Sequence, residues 1–306
     1  MSSNVAETHG LTKRYGSLTA LVDCDIEVHR GEIFGLLGPN GSGKTTLIRL
    51  LMGFLRPTRG EARILDHDCY RQSVEVHRFV SYLPGDVRLF RQMRGRDVLR
   101  FFSDVRNQQN FDRSLALADR LELDLHRRVA FCSTGMRQKL AIAAVLAAEV
   151  ALLILDEPTA NLDPTIRGDV IELVREARRA GRTIMFSSHV LSEVETACDR
   201  VVLLRRGRLV HTQVISELRR RHRIFATLTG PMPLVPPELD GSLRIEDDGS
   251  GRIMIETPGE LAPLLGWLAE LPLAEVKIEP IGLQAVYDHY HKGSAHEPRV
   301  VAQSDS

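Results

Sequence analysis

The octapeptide Gly38-Pro39-Asn40-Gly41-Ser42-Gly43-Lys44-Thr45 follows an apolar run from Glu32 to Leu37 and leads into a second apolar segment, Thr45 to Met52. Its spacing of glycines and lysine, set between a buried strand and the start of a helix, is that of a phosphate-binding loop. Glycines at 38, 41 and 43 let the backbone bend until consecutive N–H groups converge on phosphate oxygens, and the positive end of the helix faces the same anion. Lys44 is placed to neutralise the outer phosphates and the Thr45 hydroxyl to hold Mg²⁺. A glycine-rich turn with a chance lysine would lack the strand before it and the helix after it.

Phosphate chemistry also needs carboxylates, and the chain supplies a pair. Ala151 to Leu155 is an unbroken apolar run, as expected of a parallel strand covered on both faces, and it delivers Asp156 and Glu157 at the edge where such sheets bind ligands. Asp156 suits direct or indirect Mg²⁺ contact, and Glu157 is placed to polarise an attacking water as a general base. The plainer alternative makes the pair a helix cap ahead of Pro158. Upstream, Cys132-Ser133-Thr134-Gly135-Met136-Arg137-Gln138 opens an apolar helix running to about Ala148, with Ser133 as an ordinary N-cap.

Taken in order, the phosphate loop, the Ser133-Thr134-Gly135 helix start, the Asp156-Glu157 strand and His189 make the chain resemble the ATP-binding cassette (ABC) superfamily. Over residues 5 to about 215 the Ser-x-Gly-Met-Arg-Gln signature is similar to that of ATPase subunits of ABC-2-type exporters of drugs, antibiotics and polysaccharides. The resemblance implies an α/β P-loop NTPase fold of ABC type: a parallel sheet core with an antiparallel β subdomain and a helical subdomain. It implies ATP and Mg²⁺ as ligands, with Tyr15 stacked on adenine and Gly38, Pro39, Asn40, Gly41, Ser42, Gly43, Lys44, Thr45 and Thr46 around the phosphates. Ser133 and Gly135 are then expected to press on the γ-phosphate held by a second chain. Asp163, in Ala160-Asn161-Leu162-Asp163, falls in the loop through which two cassettes sense each other, and His189 orients the water and Glu157. The plain alternatives are an exposed turn tyrosine for Tyr15, a helix cap for Asp163 and a structural histidine.

The implied partners are a second copy, or a paired cassette, and a separate transmembrane permease, which puts the chain on the cytoplasmic face of the cell membrane. An importer ATPase, or a regulatory, DNA-associated or translation-associated ATPase, is the alternative. Against the DNA-associated, translation-associated and regulatory readings, the chain lacks a long coiled-coil insertion, carries one cassette, and retains Glu157; only the Gly-Met-Arg-Gln of the signature and the C-terminal extension tilt the reading from import to export. One position departs from the family: after Ser81-Tyr82-Leu83-Pro84, Gly85 stands where a Mg²⁺-contacting glutamine is usual. Asp86 or a water is a possible substitute, and altered coupling to the permease is the expected consequence.

Lys+Arg and Asp+Glu are equal at 40 each among 306 residues, so there is no basic field of the kind nucleic-acid binding requires. Cys24, Cys69, Cys132 and Cys198 show no metal or disulfide spacing, which fits a reducing compartment. No export signal opens the chain, and its longest apolar stretch, Leu140 to Leu155, is interrupted by Glu149 and too short to span a bilayer.

Domain organisation follows from motif position: a nucleotide-binding domain over 1–215, with its helical subdomain at about 86–148, a C-terminal α+β accessory domain over 216–291, and a disordered tail over 292–306. Alternation of Val22, Cys24, Ile26 and Val28 with charged residues marks an antiparallel strand of the β subdomain. Residues 71 to about 128 read mostly as helices. The basic run Arg219 to Arg223 reads as a solvated linker helix, with contact to anionic lipid as the other reading.

Overall fold

A computed structural model describes residues 4–106, 110–232, 235–236, 243–257, 259 and 261–292. Along the chain the elements are β1 (Asn4–Tyr15), β2 (Leu18–His29), β3 (Ile33–Leu37), α1 (Lys44–Leu51), β4 (Arg59–Ile64), β5 (His67–Asp68), α2 (Ser73–Phe79) and β6 (Val80–Leu83). Then follow α3 (Gly95–Val105), α4 (Phe111–Arg120), α5 (Thr134–Ala147), β7 (Leu152–Asp156), α6 (Pro164–Arg179), β8 (Thr183–Ser188), α7 (Leu191–Ala197), β9 (Arg200–Arg205) and β10 (Arg208–Val214). The remainder comprises α8 (Ile215–Arg220), β11 (His222–Leu228), β12 (Arg244–Asp247), β13 (Arg252–Glu256), α9 (Leu265–Glu270), β14 (Leu273–Pro280) and α10 (Leu283–Lys292). Contacts divide the chain into two compact units, Met1–Thr212 and Gln213–Ser306.

In the first unit a six-stranded sheet has the order β10-β9-β3-β8-β7-β6, and β9, β3, β8, β7 and β6 pair in parallel. Strands β3, β7 and β8 are buried throughout, because helices cover both faces of a parallel sheet. Their register aligns the exits: Leu37 lies beside Ser188, Asp156 beside Ser187, and Leu83 beside Leu155. The phosphate loop, the Asp156-Glu157 pair and His189 therefore leave the sheet at one edge. A second, antiparallel sheet, β2-β1-β4-β5, buries Cys24, Ile26 and Val28 and exposes Asp23, Asp25 and Glu27, the period read from the sequence. Helix α6 buries Ile166, Val170, Leu173, Val174 and Ala177, and just past its end Gly181 adopts φ +84°, the left-handed turn glycine allows.

Two expectations need correction. The stretch 71–128 is not helical throughout, since Val80–Leu83 forms the edge strand β6. It runs on directly from α2 and is only four residues long, too short for its period to separate it from a helix end. The basic run at 219–223 is not a linker helix: α8 stops at Arg220, and His222 and Arg223 belong to β11, where Arg223 pairs with Glu256 at 2.6 Å. A 3₁₀ turn at Ala262–Leu264 leads directly into α9.

The second unit is an antiparallel sheet, β12-β13-β11-β14, whose Ile224, Ala226, Ile253 and Ile255 pack on Trp267 and Leu271. The tail expected from 292 lies, from residue 293 on, outside the described residues.

Candidate functional site

The phosphate loop leaves β3 and turns into α1 through backbone conformations that glycine alone adopts cheaply: Gly41 has φ +78° and Gly43, which caps α1, φ +114°. At Gly38 the constraint is space, since a Cβ there would sit 2.4 Å from the Leu204 carbonyl oxygen. The Lys44 side chain is 94% shielded, and its ammonium donates to the Gly38 carbonyl at 2.6 Å and lies 3.3 Å from Glu157 Oε1. The buried Ser42 hydroxyl has no hydrogen-bond partner among the described residues. A cleft of about 800 Å³ opens over this loop, walled by Tyr15, Leu18, Thr46, Glu157 and Arg206. A glycine-bent loop at a helix start, a shielded lysine and an orphaned hydroxyl fit a polyphosphate.

Two strands supply the carboxylates. Asp156 ends β7 and is almost fully buried; it accepts hydrogen bonds from the Ser187 hydroxyl at 2.6 Å and the Thr45 hydroxyl at 3.2 Å. Burial pushes its carboxyl above the ordinary carboxylate range, only partly offset by those two bonds. Glu157 sits one residue on at φ +50°, pinned where its N–H meets the Ser187 carbonyl (3.2 Å) and the Ser187 hydroxyl (3.0 Å). Its Oε1 faces Lys44 and its Oε2 faces His189 Nδ1 at 2.8 Å. One carboxylate thus joins the phosphate-loop cation to the histidine that follows β8.

The donor set fits Mg²⁺: a hydroxyl and a carboxylate oxygen stand together at the mouth of the phosphate cradle, hard ligands that leave room for waters and phosphate oxygens.

Residues 21–160 match the family model described as "ABC transporter". Over 225 residues the chain is 35% identical to a daunorubicin resistance ATP-binding protein of Streptomyces coeruleorubidus, covering 72% of this chain and 71% of that one. The chain belongs to the ABC transporter family. A solved ATP-binding subunit of an ABC transporter superposes with a TM-score of 0.66 at 29% identity, covering 70% of this chain and 92% of that one. A dimeric cassette bound to ADP and Pi in a post-hydrolysis state matches with a TM-score of 0.61 at 21% identity, covering 69% and 98%, which bears on the fold. This cassette is an ATP-binding, ATP-hydrolysing subunit of an ABC transporter.

Within the ABC fold the remaining candidates do not all meet. Tyr15 walls the cleft, 44% exposed, with Lys13 Nζ 5.1 Å from its ring centroid. Ser133 and Asp163 both cap helices of this chain: Ser133 Oγ accepts from Met136 N–H at 3.2 Å, and Asp163 Oδ1 from Ile166 N–H at 3.1 Å. Gly135 backs onto the loop before α6, where a Cβ would lie 3.1 Å from the Asn161 carbonyl oxygen. Neither Ser133 nor Gly135 lines the nucleotide cleft. Asp86 is turned outward, 76% exposed and paired with Arg88 at 2.8 Å, so it does not join Thr45 and Asp156 in a metal site. It is Gly85 that abuts Asp156: a Cβ there would lie 3.7 Å from Asp156 Oδ2, ordinary contact with space for a side chain.

Sequence reading missed Glu193, Gln138 and Arg206. Arg206 walls the cleft. Gln138 donates to the Pro158 carbonyl at 3.0 Å, tying the signature helix α5 to the loop behind Glu157. Glu193 is the charged member of the buried stripe Glu193, Val194 and Ala197 on α7, and a carboxylate on an apolar helix face was the available signal.

The buried charge of Asp156 has a measurable cost. Its raised folded pKa means that stabilisation by the neutral carboxyl is fully present below the unfolded value of 3.8 and is lost as pH rises through the folded value. Asparagine, always neutral, can still accept from Ser187 and donate to Thr45. Asp156→Asn is therefore expected to raise the thermal midpoint at pH 7 while abolishing ATP turnover. Scanning calorimetry between pH 4 and 8 should show the gain shrink toward the acid end.

Proposed function

We propose that the cassette drives export through a separate membrane subunit by closing on a second cassette around ATP. The observation that carries this reading is the separation of Ser133 and Gly135 from the nucleotide cleft of their own chain. Ser133 is exposed at the start of α5, so a hydroxyl and backbone N–H groups stand ready for a phosphate held by another chain. Nucleotide then shifts the equilibrium by binding the closed pair better than the open one. The Gly-Met-Arg-Gln signature and the relative named for daunorubicin resistance support export.

Each residue has a part in hydrolysis. Tyr15 stacks on the base, and residues Gly38 to Thr46 fix the phosphates. Thr45 and Asp156 would hold Mg²⁺, which when bound neutralises charge building on the phosphate oxygens. A terminal phosphate competes with Glu157 for the Lys44 ammonium, freeing Oε1 to take a proton from the attacking water. His189 holds Oε2 and so fixes the direction in which Oε1 points, and it completes the site by reaching the terminal phosphate. Asp163 and its loop report the presence of the second cassette. Gly85 leaves the metal side of the pocket without an amide ligand, and we attribute to it a change in permease coupling. Among the described residues no helix is long and apolar enough to cross a membrane, so a membrane subunit on whose cytoplasmic side the cassette docks is part of the proposal.

Light scattering tests the two-chain reading. With ATP in EDTA, which blocks turnover, the mass is expected to double from the 34.3 kDa of one chain, and ADP should leave it single. Ser133→Arg, which puts bulk and length on the mating surface, should keep the protein single with ATP. A wild-type protein that stays single at saturating ATP overturns the proposal.

A further inference from the structure

A carboxylate outside the hydrolytic machinery joins the 159–163 loop to the end of the strand that precedes His189. Glu193, on the first turn of α7, is 6% exposed, and its Oε2 accepts from two buried hydroxyls: Thr159 at 2.7 Å and Ser188 at 2.8 Å. Thr159 lies two residues after Glu157, at the head of the loop that ends in Asp163; Ser188 immediately precedes His189 and also accepts the Val190 N–H at 3.0 Å. The other carboxylate oxygen, buried and without a hydrogen bond among the described residues, stands 3.9 Å from Arg167 Nη1, and Arg167 Nε donates to the Leu162 carbonyl at 2.8 Å. Glu193 therefore holds one end of the 159–163 loop directly, reaches toward the other end through Arg167, and grips the residue before the histidine.

We infer that Glu193 is a positioning residue that carries the state of the 159–163 loop to the Glu157–His189 pair. A shift of Thr159 moves the shared acceptor and with it Ser188, so the 2.8 Å contact between His189 and Glu157 is set by where the loop sits. Two hydroxyls sharing one buried oxygen leave no slack, because a buried hydroxyl that loses its acceptor is left unpaired. The inference rests on the two-chain reading above, in which that loop touches the opposing cassette; what it adds is the route by which the touch reaches the chemistry.

The test compares Glu193→Ala, the conservative Glu193→Gln and Thr159→Val in the full chain, against a wild type shown to dimerise with ATP. Glu193→Ala is expected to dimerise with ATP at concentrations within about twofold of wild type, yet to turn over at least about tenfold more slowly with little change in KM, as misplacement of a reacting group does. The Hill coefficient for ATP should fall toward one. Glu193→Gln, which keeps an acceptor for both hydroxyls, should restore most of the rate and cooperativity. The Thr159→Val and Glu193→Ala losses should not add in the double variant, since both break one link. A structural role alone would lower dimerisation and turnover together and track the thermal midpoint; that result, or additive losses, or full cooperativity in Glu193→Ala, overturns the inference. A wild type that never dimerises sinks the two-chain reading and this inference with it, an outcome distinct from normal turnover in a Glu193 variant that dimerises. If Glu193→Ala fails to fold, Thr159→Val and Glu193→Gln carry the same comparison.

Discussion

Glu157→Gln is expected to lower the ATP turnover number by about 10²–10³-fold, within the range for loss of a general base, while the nucleotide still binds. The amide has the volume and one acceptor oxygen of the carboxylate, so the backbone bonds from Glu157 N–H to the Ser187 carbonyl and hydroxyl are untouched. What is lost is basicity at Oε1 and the charge that Lys44 and His189 share. Single-turnover measurements with radiolabelled ATP should show phosphate release falling by that factor and a fluorescent ATP analogue binding within about threefold of wild type. In the two-chain reading the variant also accumulates as an ATP-bound dimer in Mg²⁺, where wild type does not. Turnover within tenfold of wild type would remove Glu157 from the role of base.

Lys44→Ala should be as severe for a different reason. Here the loss falls on binding as well as on the transition state, because the charge of a lysine whose side chain is 94% shielded from water is screened far less than that of a surface lysine. A hydrogen bond to a charged group contributes about 1.5–3 kcal/mol, so ATP affinity is expected to fall by about 10- to 150-fold and kcat/KM by more than about 10³-fold. Equilibrium titration with the fluorescent analogue and steady-state kinetics would separate the two. Substitution to arginine should not rescue: a planar fork with different reach cannot occupy the point between Gly38 O and Glu157 Oε1.

Much of the site was legible because its residues obey rules that act over a few positions. The phosphate loop carries its own strand, glycines and helix start, and the Asp156-Glu157 pair is announced by the apolar strand that delivers it. The Ser133 cap follows from local geometry and appears in the structure as read. What escaped depends on distant partners. Strand β6 is defined by pairing with β7, not by its own four residues. Asp86 was a reasonable oxygen donor by spacing, but one peptide turns it to solvent and Arg88 while its neighbour Gly85 faces Asp156. Glu193 looked like any helix carboxylate until Thr159 and Ser188, which sit 34 and 5 residues away, closed on it. The basic run at 219–223 was misread because charge says where water is and not whether the backbone coils or extends.

The left-handed backbone at Glu157 limits how such a cassette can decay. Branched side chains such as valine or isoleucine clash in that conformation, whereas asparagine, aspartate and glycine enter it readily. A descendant that abandons hydrolysis should therefore carry one of those three, or glutamine as the isostere of the present residue, at this position. Gene duplicates drifting toward inactivity are thus steered by main-chain geometry into a narrow set of replacements.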